Sequence, residues 1–346
     1  MAIGVGITRI GGGGGGPSTC PSVSLSLSDT TPDFGDTITL TATASDFASG
    51  DNLTYQFVVR DNVGNWEKIE QTNDNTYDWS IPYAGTYMVH VIVEDESGGS
   101  ASDSVEVTVG TLNDKYTFTG LYDVSVRTLV GQRLDEVTDG SGNSNDAAAP
   151  SAADRPVYES SPLVNSGITR CDAGTSQRLV TPISTLQSTI TLVAVFHVSN
   201  QATASPFNSH PLIAGNGTRP NGGRFTLTFN TGSGNASFAA VKTSGADVAS
   251  DTYQNGWNIA VGTFDGSTIR LNLNGNVTTG TLSGTLATDT SAFQLQNIGS
   301  DSGTYHNKIP NLNPLTFAAI KTSNLSDADA DQLYADLLLK FPYDNN

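Results

Sequence analysis

Apolar and polar residues alternate in many short segments of this chain, and this period-two pattern most constrains its fold. The alternation is clear in Val23–Leu27, Thr37–Ala42 and Arg224–Asn230. Successive side chains of a strand point to opposite faces of a sheet, so such segments predict strands with one buried and one solvated side. Glycine occurs 36 times and only 14% of residues are charged, which favours short strands over long helices. We therefore predict an all-β protein.

The chain has 346 residues, more than a single hydrophobic core ordinarily serves, and its composition changes along its length. Residues 1–19 contain the glycine run Gly11–Gly16, which cannot pack a core and predicts a flexible arm or linker. A short polar junction, Thr111–Asp114, follows the first group of strand patterns. We predict an N-terminal arm at 1–19, a first β-domain at 20–110 and a second β-domain at 111–346.

The first predicted domain is built from closely spaced strands. Besides the two alternating segments near its start, the pattern predicts strands at Leu53–Arg60, Trp66–Glu70, Gly85–Glu94 and Ala101–Val109. Short strands separated by glycine and asparagine turns are typical of a β-sandwich. A more specific set of residues is Gly35–Leu40, Ala84–Val89, Val93–Gly99 and Val105–Val109. This set resembles the immunoglobulin-like domain of the polycystic-kidney-disease type, which implies an immunoglobulin-like sandwich over about Pro21–Gly110.

The second predicted domain combines strands with one terminal helix. Its strands are predicted at Thr189–Val198, Arg224–Asn230, Asn258–Phe264 and Thr268–Asn274. Asp265 and Gly266 form a suitable hairpin turn between the last two. Near the C-terminus, Ser326 is a candidate N-cap and Asp327 and Asp329 lie in the first turn that would follow it. An apolar stripe follows at Leu333, Leu337 and Leu338, before Lys340. They predict a short helix that docks on a sheet.

Several segments of the second domain resemble one known group of folds. In chain order they are Val137–Asn143, Arg155–Tyr158, Gly256–Val261, Phe264–Ser267, Leu273–Gly275 and Leu325–Asp329. Together they resemble the laminin-G group of concanavalin-like jelly rolls. The sequence departs from that group at Cys171, where relatives more often carry an aromatic residue before the turn. The resemblance implies a jelly roll over 111–346.

Charge and hydropathy exclude several partners. The chain carries 34 acidic and 16 basic residues, giving a net charge of -18. Such a surface repels a phosphate backbone, so no nucleic acid is expected as a partner. No apolar run reaches the roughly 18 residues of a membrane span, so we expect no membrane insertion. The N-terminal sequence lacks the features of a secretion signal, and export by the general route is not expected.

Few residues of this sequence point to catalysis. A glycoside hydrolase needs two carboxylates flanking the glycosidic bond, yet the sequence contains no glutamate after Glu159. It also contains no G-x-S-x-G nucleophile elbow. The four histidines are scattered without the spacing of a zinc site, at His90, His197, His210 and His306. We expect the chain not to be an enzyme, and we interpret His90 and His197 as strand side chains.

The loop after Val137 is the candidate metal site. Asp139, Ser141, Asn143 and Asn145 place oxygen-bearing side chains at alternate positions, as at the start of an EF-hand loop, but without its later glycine and glutamate. Laminin-G folds often bind calcium, so the resemblance implies calcium ligands at Asp139, Asn143 and Asn145. The alternative is a turn in which these side chains bond to their own backbone. The cluster Glu94–Glu96 has the same two interpretations.

Aromatic residues are the candidate ligand contacts. Tyr87 and Trp257 match core positions of the resembled families and are expected to be buried. Trp66, Tyr253 and Tyr305 stand beside polar turn residues. An aromatic ring in an exposed turn offers an apolar face together with a polar edge. We therefore predict Trp66, Tyr253 and Tyr305 as candidate ligand contacts.

Both resembled families are common in extracellular adhesion and carbohydrate recognition, whereas a secretion signal is missing. Bacteriophage particle proteins reconcile the two, because they fold in the host cytoplasm and reach the outside after lysis. We therefore predict a virion structural protein: a capsid decoration, head fibre or tail-associated subunit at the virion surface. Its arm would bind other virion proteins, its copies would form a homo-oligomer, and its jelly roll would face a host-surface glycan. The alternative is a cellular surface adhesin or carbohydrate-binding module.

Overall fold

The computed structural model describes residues 20–33, 35–47, 52–60, 66–81, 84–160, 167–170, 177–198, 209–215, 224–230, 233–288, 290–295, 300–301, 304–305 and 315–341. The arm predicted at 1–19 lies outside the described residues. Strands dominate the described chain and one helix of 14 residues ends it, so the prediction of an all-β fold with a short C-terminal helix is confirmed. The chain divides into two compact units, Met1–Lys115 and Tyr116–Asn346.

The first unit consists of antiparallel strands followed by a single helical turn. The elements are β1 Ser22–Leu27, β2 Thr37–Ser45, β3 Leu53–Arg60, β4 Trp66–Thr72, β5 Thr76–Ser80, β6 Gly85–Asp95, β7 Ser100–Val109 and α1 Leu112–Tyr116. Strands β1, β2 and β5 form one sheet in the order β1-β2-β5. The other sheet has the order β4-β3-β6-β7. The strands predicted from the sequence in this unit are confirmed to within three residues at each end.

Alternation along these strands builds the core of the first unit. On β2, Ile38 and Leu40 are buried, whereas Thr37 and Thr43 face solvent. Trp79 of β5 meets Tyr87 of β6 edge to face, with ring centroids 5.2 Å apart, and both rings are buried. Tyr87 is therefore a core residue, as predicted. Since side chains from both sheets share one hydrophobic cluster, the unit is a β-sandwich.

The second unit contains the remaining strands. They are β8 Gly120–Val130, β9 Arg133–Asp139, β10 Ala147–Ala148, β11 Val157–Ser160, β12 Gly167–Arg170, β13 Leu179–Ser184, β14 Ile190–Val198, β15 Ser209–Ala214, β16 Phe225–Asn230, β17 Asn235–Lys242, β18 Gly245–Thr252, β19 Gly256–Phe264, β20 Thr268–Leu273, β21 Asn276–Thr281, β22 Ala292–Leu295, β23 Ser300–Asp301, β24 Thr304–Tyr305 and β25 Leu315–Lys321. A 3-10 helix lies at Ala152–Asp154 and helix α2 at Asp327–Lys340.

Most of these strands belong to one continuous antiparallel sheet. Its order is β18-β17-β16-β15-β22-β13-β10-β9-β11-β12-β25-β14-β19-β20-β21, with β8 pairing to β25 and β9. Rings from strands far apart in this order are in contact. Phe196 of β14 stacks on Phe229 of β16 at 5.5 Å, and Phe225 of β16 meets Phe264 of β19 at 5.3 Å. The sheet therefore curls over itself into two layers around an aromatic core.

Close packing of the two layers depends on a missing side chain at Gly262 of β19. A Cβ atom there would lie 2.5 Å from Cγ of Phe238 on β17, which is closer than carbon atoms can approach.

The predicted hairpin between β19 and β20 is confirmed. At its turn, Asp265 Oδ1 accepts N–H bonds from Ser267 and Thr268 at 2.8 and 2.7 Å, and Gly266 has a φ of 109°.

Helix α2 packs against β19 and β20. Ser326 caps it as predicted, since its Oγ accepts the N–H of Asp329 at 3.1 Å. Leu333 and Leu337 are buried, but Leu338 is exposed, so its assignment to the apolar stripe was wrong. The reason is geometric: one residue is about 100° of rotation around a helix, which carries Leu338 away from the face shared by positions four apart.

Buried apolar contacts rather than helix propensity hold α2 on the sheet. The Leu333→Ala variant should lower the free energy of unfolding by about 2–5 kcal/mol, because it leaves a cavity under the helix. The matched change Leu339→Ala, at an exposed position of the same helix, should cost less than about 0.5 kcal/mol. Urea unfolding followed by tryptophan fluorescence measures both, and equal losses would contradict this packing.

Candidate functional site

A partly exposed aromatic residue borders the second unit's core at the turn Tyr253–Asn255, which links β18 to β19. We name it the Tyr253 turn. Tyr253 is half-buried and meets Phe229 edge to face, with centroids 5.8 Å apart. Phe229 in turn stacks on Phe196. Burial raises the pKa of the Tyr253 hydroxyl. The ring is thus fixed by the core, and part of it stays open to solvent.

The Tyr253 turn is held by the side chain of one buried residue, Asn258. Its Oδ1 accepts the N–H of Gln254 at 3.0 Å, and its Nδ2 donates to the carbonyls of Gln254 and Gly256 at 2.9 and 3.0 Å. Gln254 Nε2 donates to the carbonyl of Trp257 at 3.1 Å. Side-chain amides therefore bond both to an N–H group and to carbonyl groups of the turn's backbone, and these bonds fix its conformation.

Asn258 is also hydrogen-bonded to Asn274, in the turn that follows β20. Asn274, at the end of β20, donates from Nδ2 to Asn258 Oδ1 at 2.8 Å and accepts the N–H of Ile259 at 2.9 Å. Its φ of 54° lies in the left-handed region, which asparagine tolerates better than most residues. A buried amide whose groups are all bonded rigidifies its surroundings. The Tyr253 turn is therefore preformed.

The polar side chains of this turn are amides. Gln254 and the exposed Asn255 follow Tyr253 directly in the chain. Among the residues that the structure describes, no group of three or more His, Cys, Asp or Glu side chains lies together.

His197 lies on β14, and its ring packs edge to face on Trp257, with the centroids 5.2 Å apart. Burial lowers the pKa of the His197 imidazole. Trp257 is buried, as predicted.

The predicted metal loop is a second ordered feature, and its residues do come together. Asp139 is buried at the end of β9. Its Oδ1 accepts the N–H groups of Leu121 and Ser141, both at 2.9 Å. Its Oδ2 accepts the Ser141 hydroxyl at 2.7 Å and the N–H of Asn145 at 2.9 Å. One carboxylate therefore organises the whole loop.

The two asparagines of this loop direct amide donors to backbone carbonyls. Asn143 Nδ2 donates to Phe118 O at 3.0 Å, and Asn145 Nδ2 donates to Thr119 O at 2.7 Å. These bonds join the loop to the segment before β8, whereas the bonds that Asp139 accepts from the N–H groups of Ser141 and Asn145 are those of the turn alternative. Calcium needs several oxygen ligands converging on one point, and a cation here would have to displace bonds at both carboxylate oxygens of Asp139. Calcium binding by Asp139, Asn143 and Asn145 stays a prediction.

These hydrogen bonds also determine the direction in which the pKa of the Asp139 carboxyl is shifted. Burial by itself would raise the pKa of this carboxyl, but the N–H groups of Leu121 and Asn145, with the N–H and hydroxyl of Ser141, outweigh it and lower the pKa below its usual value. Hydrogen bonds to the charged form stabilise that form. The loop is therefore assembled around an ionised carboxylate.

Other predicted site residues lie elsewhere or outside the described side chains. Trp66 begins β4 and Tyr305 ends β24, but their side chains lie outside the described residues, and both stay predictions as ligand contacts. In the cluster Glu94–Glu96, Asp95 Oδ1 accepts the N–H of Gly99 at 2.6 Å, as a turn residue does. His90 and His197 lie within strands, as predicted.

Sequence reasoning singled out Tyr253 but missed the residues that position it, namely Gln254, Asn258 and Asn274. A signal was present: Asn274 and Gly275 form a typical turn pair directly after an apolar strand. The burial of Asn258, which lies in an otherwise apolar strand, had no such signal. Only the pairing of β19 with β20 brings its amide to Asn274.

A carboxylate acceptor at Asp139 should make the second unit acid-sensitive. Because its native pKa lies below the unfolded value, its contribution is complete above about pH 4 and is lost as the pH falls through the native pKa. The Asp139→Asn variant should lose about 1–3 kcal/mol at neutral pH, and less at low pH. Urea titrations at several pH values test this. The control is Asp251→Asn, whose Oδ1 accepts only the adjacent Thr252 N–H among the bonds described; an equal loss there would refute the role of Asp139.

No family model matches this sequence, and no curated protein matches it. Solved structures to which it is similar include Trypanosoma rangeli sialidase in complex with 2-keto-3-deoxy-D-glycero-D-galacto-2,3-difluoro-nononic acid, at 12% identity and a TM-score of 0.44, over 86% of this chain and 51% of that one. Another is the binding domain of botulinum neurotoxin serotype D/C VPI 5993, at 14% identity and a TM-score of 0.41, over 66% and 53%. This chain spans about half the length of these structures.

Proposed function

We propose that this chain is a non-enzymatic adhesion protein whose second unit binds a neutral glycan at the Tyr253 turn. The observation that carries the proposal is a half-exposed tyrosine ring fixed on the Phe229–Phe196 stack. Its flanking turn is preformed by the buried amide of Asn258. Preformed sites bind more tightly because less conformational freedom is lost on binding.

A sugar ring matches the chemistry of this turn. A pyranose has an apolar C–H face and a rim of hydroxyl groups, and an amphipathic aromatic ring can cover the first. Amides can both donate to and accept from the second. Gln254 and Asn255 place such groups directly after Tyr253 in the chain. Few, well-placed polar groups beside an apolar surface are the usual composition of a binding site.

Charge restricts the class of glycan. The net charge of -18 gives the surface a negative potential that disfavours anionic polymers. A neutral glycan escapes this repulsion. The proposal includes no catalysis, since the sequence has no glutamate after Glu159 and the turn residues Tyr253, Gln254 and Asn255 carry no carboxylate.

We further propose that the module is displayed on a bacteriophage particle, as a capsid decoration, head fibre or tail-associated subunit, with residues 1–19 as its anchor. The support is the resemblance of 20–110 to the polycystic-kidney-disease-type domain and of 111–346 to the laminin-G group. On a particle, many copies turn a weak affinity per site into avidity. Display on a cell surface is the competing proposal, and the localisation experiment below distinguishes the two.

Removing the ring at the Tyr253 turn should weaken glycan binding without unfolding the protein. On an array of neutral glycans, Tyr253→Ala should lower affinity about 10- to 100-fold, the size of one aromatic stacking contact, whereas Tyr253→Phe should stay within about threefold because it keeps the ring. The control is Tyr158→Ala, a half-buried tyrosine packed on the same core. Trp66→Ala and Tyr305→Ala test the other two predicted contacts. Unchanged binding by Tyr253→Ala would rule this site out.

Immunogold electron microscopy with antibodies against residues 116–346 tests the location. Particles purified from a lysate of the source culture should carry gold on heads or on tails. Gold on heads would identify a decoration or head-fibre protein, and gold on tails a tail-associated subunit. Gold on intact uninfected cells but on no particle would overturn the virion proposal and leave a cellular adhesin.

A further inference from the structure

Helix α2 contacts the turn between β20 and β21 through two neighbouring side chains. Asp331 Oδ1 accepts Nδ2 of Asn272 at 2.6 Å, and Asn272 Oδ1 accepts the N–H of Gly275 at 3.0 Å. Three residues further along the helix, Tyr334 packs on the same glycine, because a Cβ atom on Gly275 would lie 3.3 Å from its Cε1. Residues three apart are neighbours on a helix surface. One face of α2 is therefore directed at this turn.

The turn that α2 contacts is also the one that supports the Tyr253 turn. It consists of Asn274 and Gly275, with φ of 54° and 87°, and positive φ at both positions is the type I′ turn of a tight hairpin. Asn274 Nδ2 donates to Asn258 Oδ1 at 2.8 Å, and the same oxygen accepts the N–H of Gln254 at 3.0 Å. Hydrogen bonds and one peptide link thus connect α2 to the Tyr253 turn. We name this series the amide relay: Asp331, Asn272, Gly275, Asn274, Asn258 and Gln254.

The carboxylate of Asp331 sets the orientation of the first amide in the relay. A carboxylate only accepts hydrogen bonds, so it draws Nδ2 of Asn272 to the helix and leaves Oδ1 for the N–H of Gly275. A reversed amide would set oxygen against carboxylate and N–H against N–H. Asn272 is only 2% exposed, and a buried amide whose bonds are not made is costly. The bonded orientation is therefore the stable one.

A buried guanidinium holds Asp331 in place. Arg270, which is 5% exposed, donates from Nη2 to the same Oδ1 at 2.6 Å. Its Nε also lies 3.5 Å from Oδ1 of Asp327, in the first turn of α2. Hydrogen bonds between charged groups are shorter and stronger than neutral ones. The ion pair therefore keeps the carboxylate of Asp331, whose side chain is 49% exposed, at the amide of Asn272.

We propose that Asp331 and Asn272 are positioning residues of the Tyr253 turn, and that docking of α2 thereby keeps this turn in its binding conformation. The inference rests on the proposed function, because the turn is taken as the glycan site. Both residues act through Asn274 and Asn258. Coupling between two places requires an element with two arrangements. Here these are the β20–β21 turn held at Asn272 and the same turn released from it.

Amide hydrogen exchange of the full chain, followed by NMR, tests the relay without any ligand. Asn272→Ala should speed exchange of the Gln254 N–H about three- to tenfold, the size of one net hydrogen bond. Asp331→Ala should do the same. The double variant should exchange no faster than Asn272→Ala, since one residue acts through the other. The N–H groups of Ser267 and Thr268, in the turn at the other end of β20, are the internal control and should not change.

Glycan affinity supplies the second measurement. On the array of neutral glycans, Asn272→Ala should weaken binding about three- to tenfold, because the turn must first be ordered. The matched control Leu333→Ala loosens the same helix without cutting the relay and should stay within about twofold. Near-UV circular dichroism verifies that both variants are folded at the temperature of the assay. Equal losses in the two variants would show a general effect of helix packing and overturn the positioning role.

The exchange data separate this proposal from the proposed function. Unchanged exchange of the Gln254 N–H in Asn272→Ala would overturn the relay, and so would a double variant that exchanges much faster than either single one. Equal acceleration at Ser267 and Thr268 would also overturn it, since the hairpin would then have loosened as a whole. Faster exchange at Gln254 in a protein that binds no glycan of the array would refute the proposed function and leave the relay standing.

Discussion

The second unit depends on aromatic packing between the two layers of its curled sheet. Phe196, Phe225, Phe229 and Phe264 come from strands that are distant in the sheet order yet in ring contact. Large rings bury the most apolar area per residue, so this cluster fixes how far the sheet curls. Gly262 belongs to the same constraint, because the Phe238 ring occupies the space that a side chain would need. Tyr253 contacts Phe229 of this cluster and is itself partly exposed. Core contacts therefore fix the position of the proposed binding ring.

The same energetic rule shapes both ordered loops of the second unit. A buried polar group is costly unless its hydrogen-bonding capacity is met. Asn258 meets it by bonding the backbone of the Tyr253 turn. Asp139 meets it by accepting N–H groups of its own loop and the N–H of Leu121 on β8. In each case one buried side chain replaces the regular hydrogen bonding of a strand. The two loops differ in which side chains are exposed. The asparagine amides of the Asp139 loop bond to backbone carbonyls, whereas the Tyr253 turn leaves part of the Tyr253 side chain and Asn255 exposed.

The sequence predicted the fold more completely than the site, and the particular residues show why. Strands such as β3 and β16 could be predicted from the alternation of apolar and polar residues, because a period of two involves only neighbouring residues in the chain. Leu338 was misplaced because a run of leucines hides the rotation of the helix. Asn258 was missed because its role depends on Asn274, sixteen positions away, and on the pairing of β19 with β20. The ion pair between Asp123 and Lys340 could not be predicted for the same reason, since the two residues meet only in the folded chain.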